Sequence, residues 1–410
     1  MTQFPLDARV AVTAITHRRE GSSVTIGDLD RQVFLTIPVE AMDILSALAD
    51  GATVGEAVRR YEDKHAETPD IEDFLAVLAD EGFVRPWDTA EPPPTTAAGA
   101  RQTLAWISPA VARRLFGPLV LAVLGLMVGV GIALVASDPG VIPGPRALVF
   151  HDHLAALSVT LFGVAVLGSM VHEVGHLLAA RAGGVPARIG VSHRLWIVVA
   201  ETDMTGVWMT SKRRRYLAFC AGPIVDAASA AVLVGVLWAQ RRGWVDLSAT
   251  LAQFTQAVLF GYLLRLLWQC FVFVRTDFYY VLATALGAKN LLADAEDLLR
   301  NRLARIRRTP PLVDQSAIPL AEMRAIRAYS VLWLTGRVLA FASLVLVTLP
   351  VLGGYGAELF SAARTGHASY SAVDVVTLAI LGLGVQGAGL FVWIRGLRRG
   401  RAQRRTDALA

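Results

Sequence analysis

The chain has 410 residues, 54% of them hydrophobic and 18% charged, with a net charge of +5. A soluble globular domain carries about a quarter charged residues, and here the apolar residues are concentrated between 115 and 394, which argues against a wholly soluble protein. The positive charges flank apolar segments, at Arg113-Arg114, Lys212 to Arg215, Arg305 to Arg308 and Arg398 to Arg405. Lipid headgroups and the positive-inside rule produce that placement, so no nucleic-acid partner is expected.

Residues 9–16 and 32–37 are β-branched and partly alternating, which predicts strands, with Glu20-Gly21 and Gly27-Asp28 as turn signals. Met42, Ile44, Leu45 and Leu48 form an apolar stripe over 39–49, behind Pro38. Thr53 and Glu56 have capping-box spacing and open a helix over 54–65. A third helix over about 69–83 turns Ile71, Phe74, Leu75 and Leu78 inward, and Phe83-Val84 returns as an edge strand. Residues 1–87 are thus expected to form a small α+β winged-helix-like domain. Residues 1–30 have no apolar core of signal type, so that domain is expected in the cytoplasm. Pro92-Pro93-Pro94 mark an extended linker over 88–105.

Six apolar segments follow, near 115–136, 154–177, 216–240, 250–274, 329–349 and 375–394. Each has about the length that crosses roughly 30 Å of hydrocarbon as a helix. The expected fold is a polytopic α-helical membrane protein with about six transmembrane helices. Its core spans 106–300, followed by a loop over 301–328, two further helices over 329–396 and a basic tail over 397–410. The Arg-rich loops 178–215 and 278–328 and the tail place both termini in the cytoplasm, in a multi-pass protein of the cell membrane. Gly125 and Gly129 form a GxxxG pattern, which allows a close helix contact but is also common in transmembrane helices by chance. Runs at 185–191, 195–200 and 207–209 are strand-like and predict an insert able to pair with an extended peptide. Cys220 and Cys270 lie in apolar segments without CxxC spacing and read as buried small side chains.

The second apolar segment ends in His172-Glu173-Val174-Gly175-His176. Residues four apart share a helix face, so His172 and His176 present two imidazoles to one ion. Zinc lowers the pKa of a bound water, and Glu173 stands where a carboxylate takes its proton. A third ligand is then required. Asp277 is the leading candidate if segments two and four end at similar depth, with Asp226 as its competitor. Glu201, Asp203 and His193 are weaker candidates. Arg265 and Arg337 lie within apolar segments and are expected to face protein or reach an interface.

The stretch from His172 to Arg181 resembles the first active-site segment of the intramembrane site-2 protease class, peptidase family M50. Ala221-Gly222-Pro223-Ile224-Val225-Asp226 is similar to its middle helix, which often carries Gly-Pro and then Asn. Val274 to Tyr280, followed by Leu282, Leu286, Asn290-Leu291 and Ala295, is similar to the third part of the peptide zinc metalloprotease subgroup. There the pattern is Asn-Pro, then Asp-Gly-Tyr-Tyr, and its Asp binds zinc, which the resemblance carries over to Asp277. The chain departs from the pattern at Phe271-Val272, at Phe278 and at Asp226, and its only Asn residues are Asn290 and Asn301. Residues 8–86 resemble the PqqD-like peptide-recognition domain of the pyrroloquinoline quinone pathway, which binds leader segments of ribosomally made peptides.

The resemblances imply a membrane zinc endopeptidase that matures a precursor or modified peptide, with peptide-modifying enzymes as further partners. Two other functions fit the same residues. One is a regulatory site-2-type protease acting on a membrane-bound signalling protein. The other is an inactive, metal-holding membrane protein in peptide export, immunity or complex assembly.

Overall fold

The structure, a computed structural model, describes residues 4–87, 103–148, 154–315, 318, 320–349, 353, 360 and 371–395, apart from 14, 22, 29–32, 195–196, 289–290, 385–386 and 392. The linker up to residue 102, Asn290 and the basic tail lie outside the described residues. The chain forms two compact units. One is Met1–Ile107 with Gly183–Arg188 and Met204–Ser211, and the other is the remainder.

In the first unit, β1 (Val10–Val12) pairs antiparallel with β5 (Val84–Pro86). Strands β2 (Thr16–Glu20), β3 (Ser23–Asp28) and β4 (Val33–Pro38) form an antiparallel sheet in the order β2-β3-β4. Val24 opposes Ile37 and Ile26 opposes Leu35 in register. Two expectations change here. The predicted strand over 9–16 is split, because β1 ends at Val12 and β2 starts at Thr16. Gly27-Asp28 is not a turn but the end of β3, which the β-branched run Val24-Thr25-Ile26 carries past the glycine. Gly21, with φ +63°, does make the turn between β2 and β3.

Helices α1 (Ala41–Ala49), α2 (Val54–His65) and α3 (Ile71–Asp80) bury Ile44, Leu45, Leu48, Val54, Leu75 and Leu78 in one core with Val10, Val24 and Ile26. Pro38 closes β4 and does not open α1. The Thr53–Glu56 capping box is present in both directions. Replacing Thr53 with Ala is expected to cost about 1 kcal/mol in the first turn of α2. Faster amide exchange over 54–57 in the full-length protein is the measurement that checks it.

In the second unit, five helices among the described residues are long and apolar enough to cross a membrane: Pro109–Ser137, Leu154–Ala182, Lys212–Arg241, Ala249–Gln269 and Glu322–Leu346. The first is broken at Phe116-Gly117 into α4 (Pro109–Leu115) and α5 (Pro118–Ser137). The others are α6 (Leu154–Ala182), α7 (Lys212–Arg241), α8 (Ala249–Gln269) and, for most of the fifth span, α11 (Leu320–Ser343). The sixth expected segment holds a shorter apolar helix, Ile380–Arg395, part of which lies outside the described residues. The architecture is that of a largely α-helical, polytopic membrane protein with a small β-containing N-terminal part.

Helix α7 is central and packs against α5, α6, α8 and the short α9 (Asp277–Leu286). Among the described residues the GxxxG pattern mediates no close contact, since a Cβ on Gly125 or Gly129 would meet nothing within 4 Å. Gly131 takes that role. A Cβ there would lie 2.6 Å from that of Ala231, so α5 and α7 cross where both side chains are smallest.

The fourth apolar segment, expected to reach residue 274, stops at Gln269. A new helix then starts behind Thr276. This residue caps it by accepting from the Tyr279 N–H at 3.4 Å, while its hydroxyl donates to the Gln269 carbonyl at 3.0 Å. Asp277 therefore opens α9. Its backbone N–H is held by Gln269 Oε1 at 3.1 Å, and its carboxylate sits in the first turn, where the helix dipole favours negative charge. Helix α10 (Leu291–Ile306) packs with α11 through Leu291, Leu292 and Ala295 against Ile326 and Tyr329. Cys270 is exposed and Cys220 only partly buried, so neither is the fully buried side chain expected from sequence.

Candidate metal centre

The i, i+4 spacing does place His172 and His176 on one face of α6, and that face meets α7. The two helices approach closely because small residues line the crossing: Gly175 lies against Ala221 and Val225. Pro223 has no N–H for the helix ladder and loosens α7 at this level. Just before it, the Ala218 carbonyl accepts from His176 Nδ1 at 2.7 Å.

His172 Nε2, His176 Nε2 and Asp277 Oδ2 form a triangle. The two nitrogens are 3.1 Å apart, and the carboxylate oxygen is 3.1 Å from His172 and 3.2 Å from His176. Tetrahedral coordination with bonds of about 2.0–2.1 Å separates neighbouring ligand atoms by roughly 3.3–3.4 Å. Both histidines are buried and Asp277 is partly buried. Asp277 lies outside the membrane-spanning helices. Burial pushes its carboxyl up, but His176 and His172 beside it outweigh this and hold it well below the usual carboxylate range.

Hydrogen bonding fixes what these atoms offer. A carbonyl only accepts, so the Ala218 contact requires a proton on His176 Nδ1. The Asp226 carboxylate, 2.7 Å from His172 Nδ1, requires the same of that ring. In the neutral tautomers both Nε2 lone pairs then converge on each other and on the Asp277 carboxylate. Three acceptors this close can be bridged by one cation, a metal ion or a proton carried by one of the rings. Among the described residues this is the cluster of His, Cys, Asp and Glu able to hold a metal ion.

Gly222 makes the room. A Cβ built on it would meet the Nε2 atoms of both His172 and His176. Replacing Gly222 with Ala is therefore expected to empty the site of metal while α7 remains helical. Metal analysis and circular dichroism of the purified variant check the two halves of that statement.

The other candidates are arranged around this triangle. Asp226 is fully buried on α7 and touches His172 from the side opposite the triangle, through Nδ1. Glu201 bonds Arg194, and with Asp203 and His193 it lies on the two-stranded sheet of β6 (Arg188–Arg194) and β7 (Ile197–Asp203), not in the cluster. The third strand-like run forms a 3-10 helix, Thr205–Met209. Arg275 is exposed, and its carbonyl accepts from Arg194 Nε at 2.9 Å.

Glu173 is buried beside the ligands. The Thr202 hydroxyl on β7 lies 2.7 Å from its Oε2 and 3.0 Å from its backbone oxygen. No sequence signal pointed to Thr202, which stands 29 residues away on a strand. Arg265 did carry a signal, a charge inside an apolar segment. The structure pairs it with Asp226, Nη2 to Oδ1 at 2.9 Å.

The chain matches no known protein-family model, no curated protein and no solved structure.

Proposed function

We propose that this protein is a membrane-embedded zinc endopeptidase that matures a precursor or modified peptide. The observation that carries the reading is a buried carboxylate, Glu173, one residue from the first imidazole of a triangle built to hold a cation. The resemblance to the site-2 protease class at the same residues supports it. His172, His176 and Asp277 would hold the ion. When bound, zinc supplies a Lewis acid that polarises a peptide carbonyl and acidifies water near neutral pH.

The chain's own residues supply the rest. Thr202 donates to Glu173 Oε2 and holds the carboxylate in one rotamer, leaving Oε1 to take a proton from the attacking water. The same oxygen then returns the proton to the leaving amine. Asp226 and the Ala218 carbonyl keep both rings in the tautomer that directs Nε2 to the site. The outer strands β2 and β4 of the small sheet offer edges to which an extended leader peptide adds as a further strand. Its tethering to the catalytic unit raises the local substrate concentration. Both termini face the cytoplasm in this reading, as the Arg-rich loops favour.

The ligand triangle alone supports a narrower reading: a metal-holding membrane protein without hydrolytic activity. Phe271-Val272, in place of the Asn-Pro of the similar proteases, favours it, because no Asn stands there to order substrate. Peptide mass analysis of cells making the wild-type chain or its Glu173→Gln variant separates the readings. Accumulation of an uncut peptide in the variant supports the peptidase. Identical peptide profiles leave the metal-holding reading. Accumulation of an uncut membrane-bound signalling protein would point to the regulatory protease.

A further inference from the structure

Asp226 is 0% exposed on a helix long and apolar enough to cross a membrane, with one carboxylate oxygen hydrogen-bonded and the other held by charge alone, without a hydrogen bond. Oδ2 accepts from His172 Nδ1 at 2.7 Å, and Oδ1 faces Arg265 Nη2 at 2.9 Å. That guanidinium also donates to the Gly168 carbonyl at 3.2 Å, and its carbon lies 5.3 Å from the centre of the Tyr262 ring. Gly168 precedes His172 by one helical turn, and a Cβ on it would lie 2.8 Å from Arg265 Nη1. Three helices, α6, α7 and α8, thus meet at a charge pair behind the metal triangle.

A carboxylate and an amide differ here in a way that matters. Asparagine offers either its oxygen or its NH2 to an imidazole, so it leaves the ring's tautomer open. A carboxylate only accepts. It compels a proton onto His172 Nδ1 and so aims the Nε2 lone pair at the metal. Its charge is costly within a bilayer unless paired, and a lone arginine in an apolar helix is equally costly. Each is accounted for by the other.

We propose that Asp226 is a positioning residue for the metal ligand His172, and that Arg265 serves the site solely as the countercharge that lets Asp226 act. The proposal rests on the metal-holding reading but not on hydrolysis. It makes a specific claim about coupling: Arg265 matters only while position 226 is charged.

The test uses the full-length protein in lipid nanodiscs, with Zn2+ affinity measured against a competing chelator and the visible spectrum recorded with Co2+. Asp226→Asn is expected to lower Zn2+ affinity about 10- to 100-fold and to shift the Co2+ bands, as loss of an outer partner of a metal-bound histidine does. Arg265→Met is expected to lower it at least as far. The double variant D226N/R265M is expected to bind as well as D226N alone. Unchanged affinity and spectrum in D226N would overturn the proposal, as would losses in the double variant that multiply those of the single ones. Should R265M fail to accumulate as folded protein, recovery of folded yield in D226N/R265M supports the coupling, and failure to recover overturns it. A wild-type protein that binds neither ion would overturn the underlying metal-holding reading as well, and that failure is visible before any variant is made.

Discussion

If the chain is the proposed peptidase, replacing Glu173 with Gln is expected to lower peptide cleavage by roughly 10²- to 10⁴-fold, the share that a positioned general base contributes, and to leave the metal content unchanged. Glutamine has nearly the same shape. Its side-chain oxygen still accepts from Thr202, 2.7 Å away in the native chain, so the strand β7 and helix α6 stay joined. What it would lose is the proposed capacity to take a proton from water and return it to the amine. Because Glu173 is not one of the three converging ligand atoms, metal content should equal that of the wild type. Cleavage of the native peptide and metal analysis on the same preparation check both parts. Cleavage at the wild-type rate would leave only the metal-holding reading.

Replacing Asp277 with Ala removes the only anionic corner of the triangle. If the roughly 10–16 kcal/mol of a structural zinc site is divided among four ligands, the loss is about 10²- to 10³-fold or more in affinity. The short helix α9 should persist, because Thr276 caps it and Gln269 holds its first N–H independently of the carboxylate. Asp226→Ala should cost less, since Asp226 meets His172 at Nδ1 and not at the triangle. Zinc retained in the Asp277 variant but lost in the Asp226 variant would reverse these assignments.

The parts of this arrangement that sequence made legible are the local ones. Period and capping located α2 to the residue, because Thr53 and Glu56 act within one turn. The four-residue spacing of His172 and His176 defined a helix face, since that follows from helix geometry alone. What failed was decided by contacts between distant residues or by single caps. The start of a new helix at Asp277 depends on Thr276, a residue that also fits the interior of an apolar segment. Gly131, not the GxxxG pair, meets α7, because helix rotation is set by packing and not by glycine spacing.

Asp226 illustrates the limit most clearly. From sequence it stood as the competitor of Asp277 for the third ligand position. Only the fold brings Arg265, 39 residues on, and His172, 54 residues back, to its two oxygens. Thr202 is similar: a residue just past the strand-like run 195–200 gives no hint that its hydroxyl reaches a glutamate on a membrane helix.

The most direct test of the account is the metal content of the purified wild-type protein, with X-ray absorption to identify the atoms around the ion. The account predicts a divalent ion bound stoichiometrically in a shell of nitrogen and oxygen, lost when His172, His176 or Asp277 is replaced. A protein that stays free of divalent metal after exposure to zinc would contradict it.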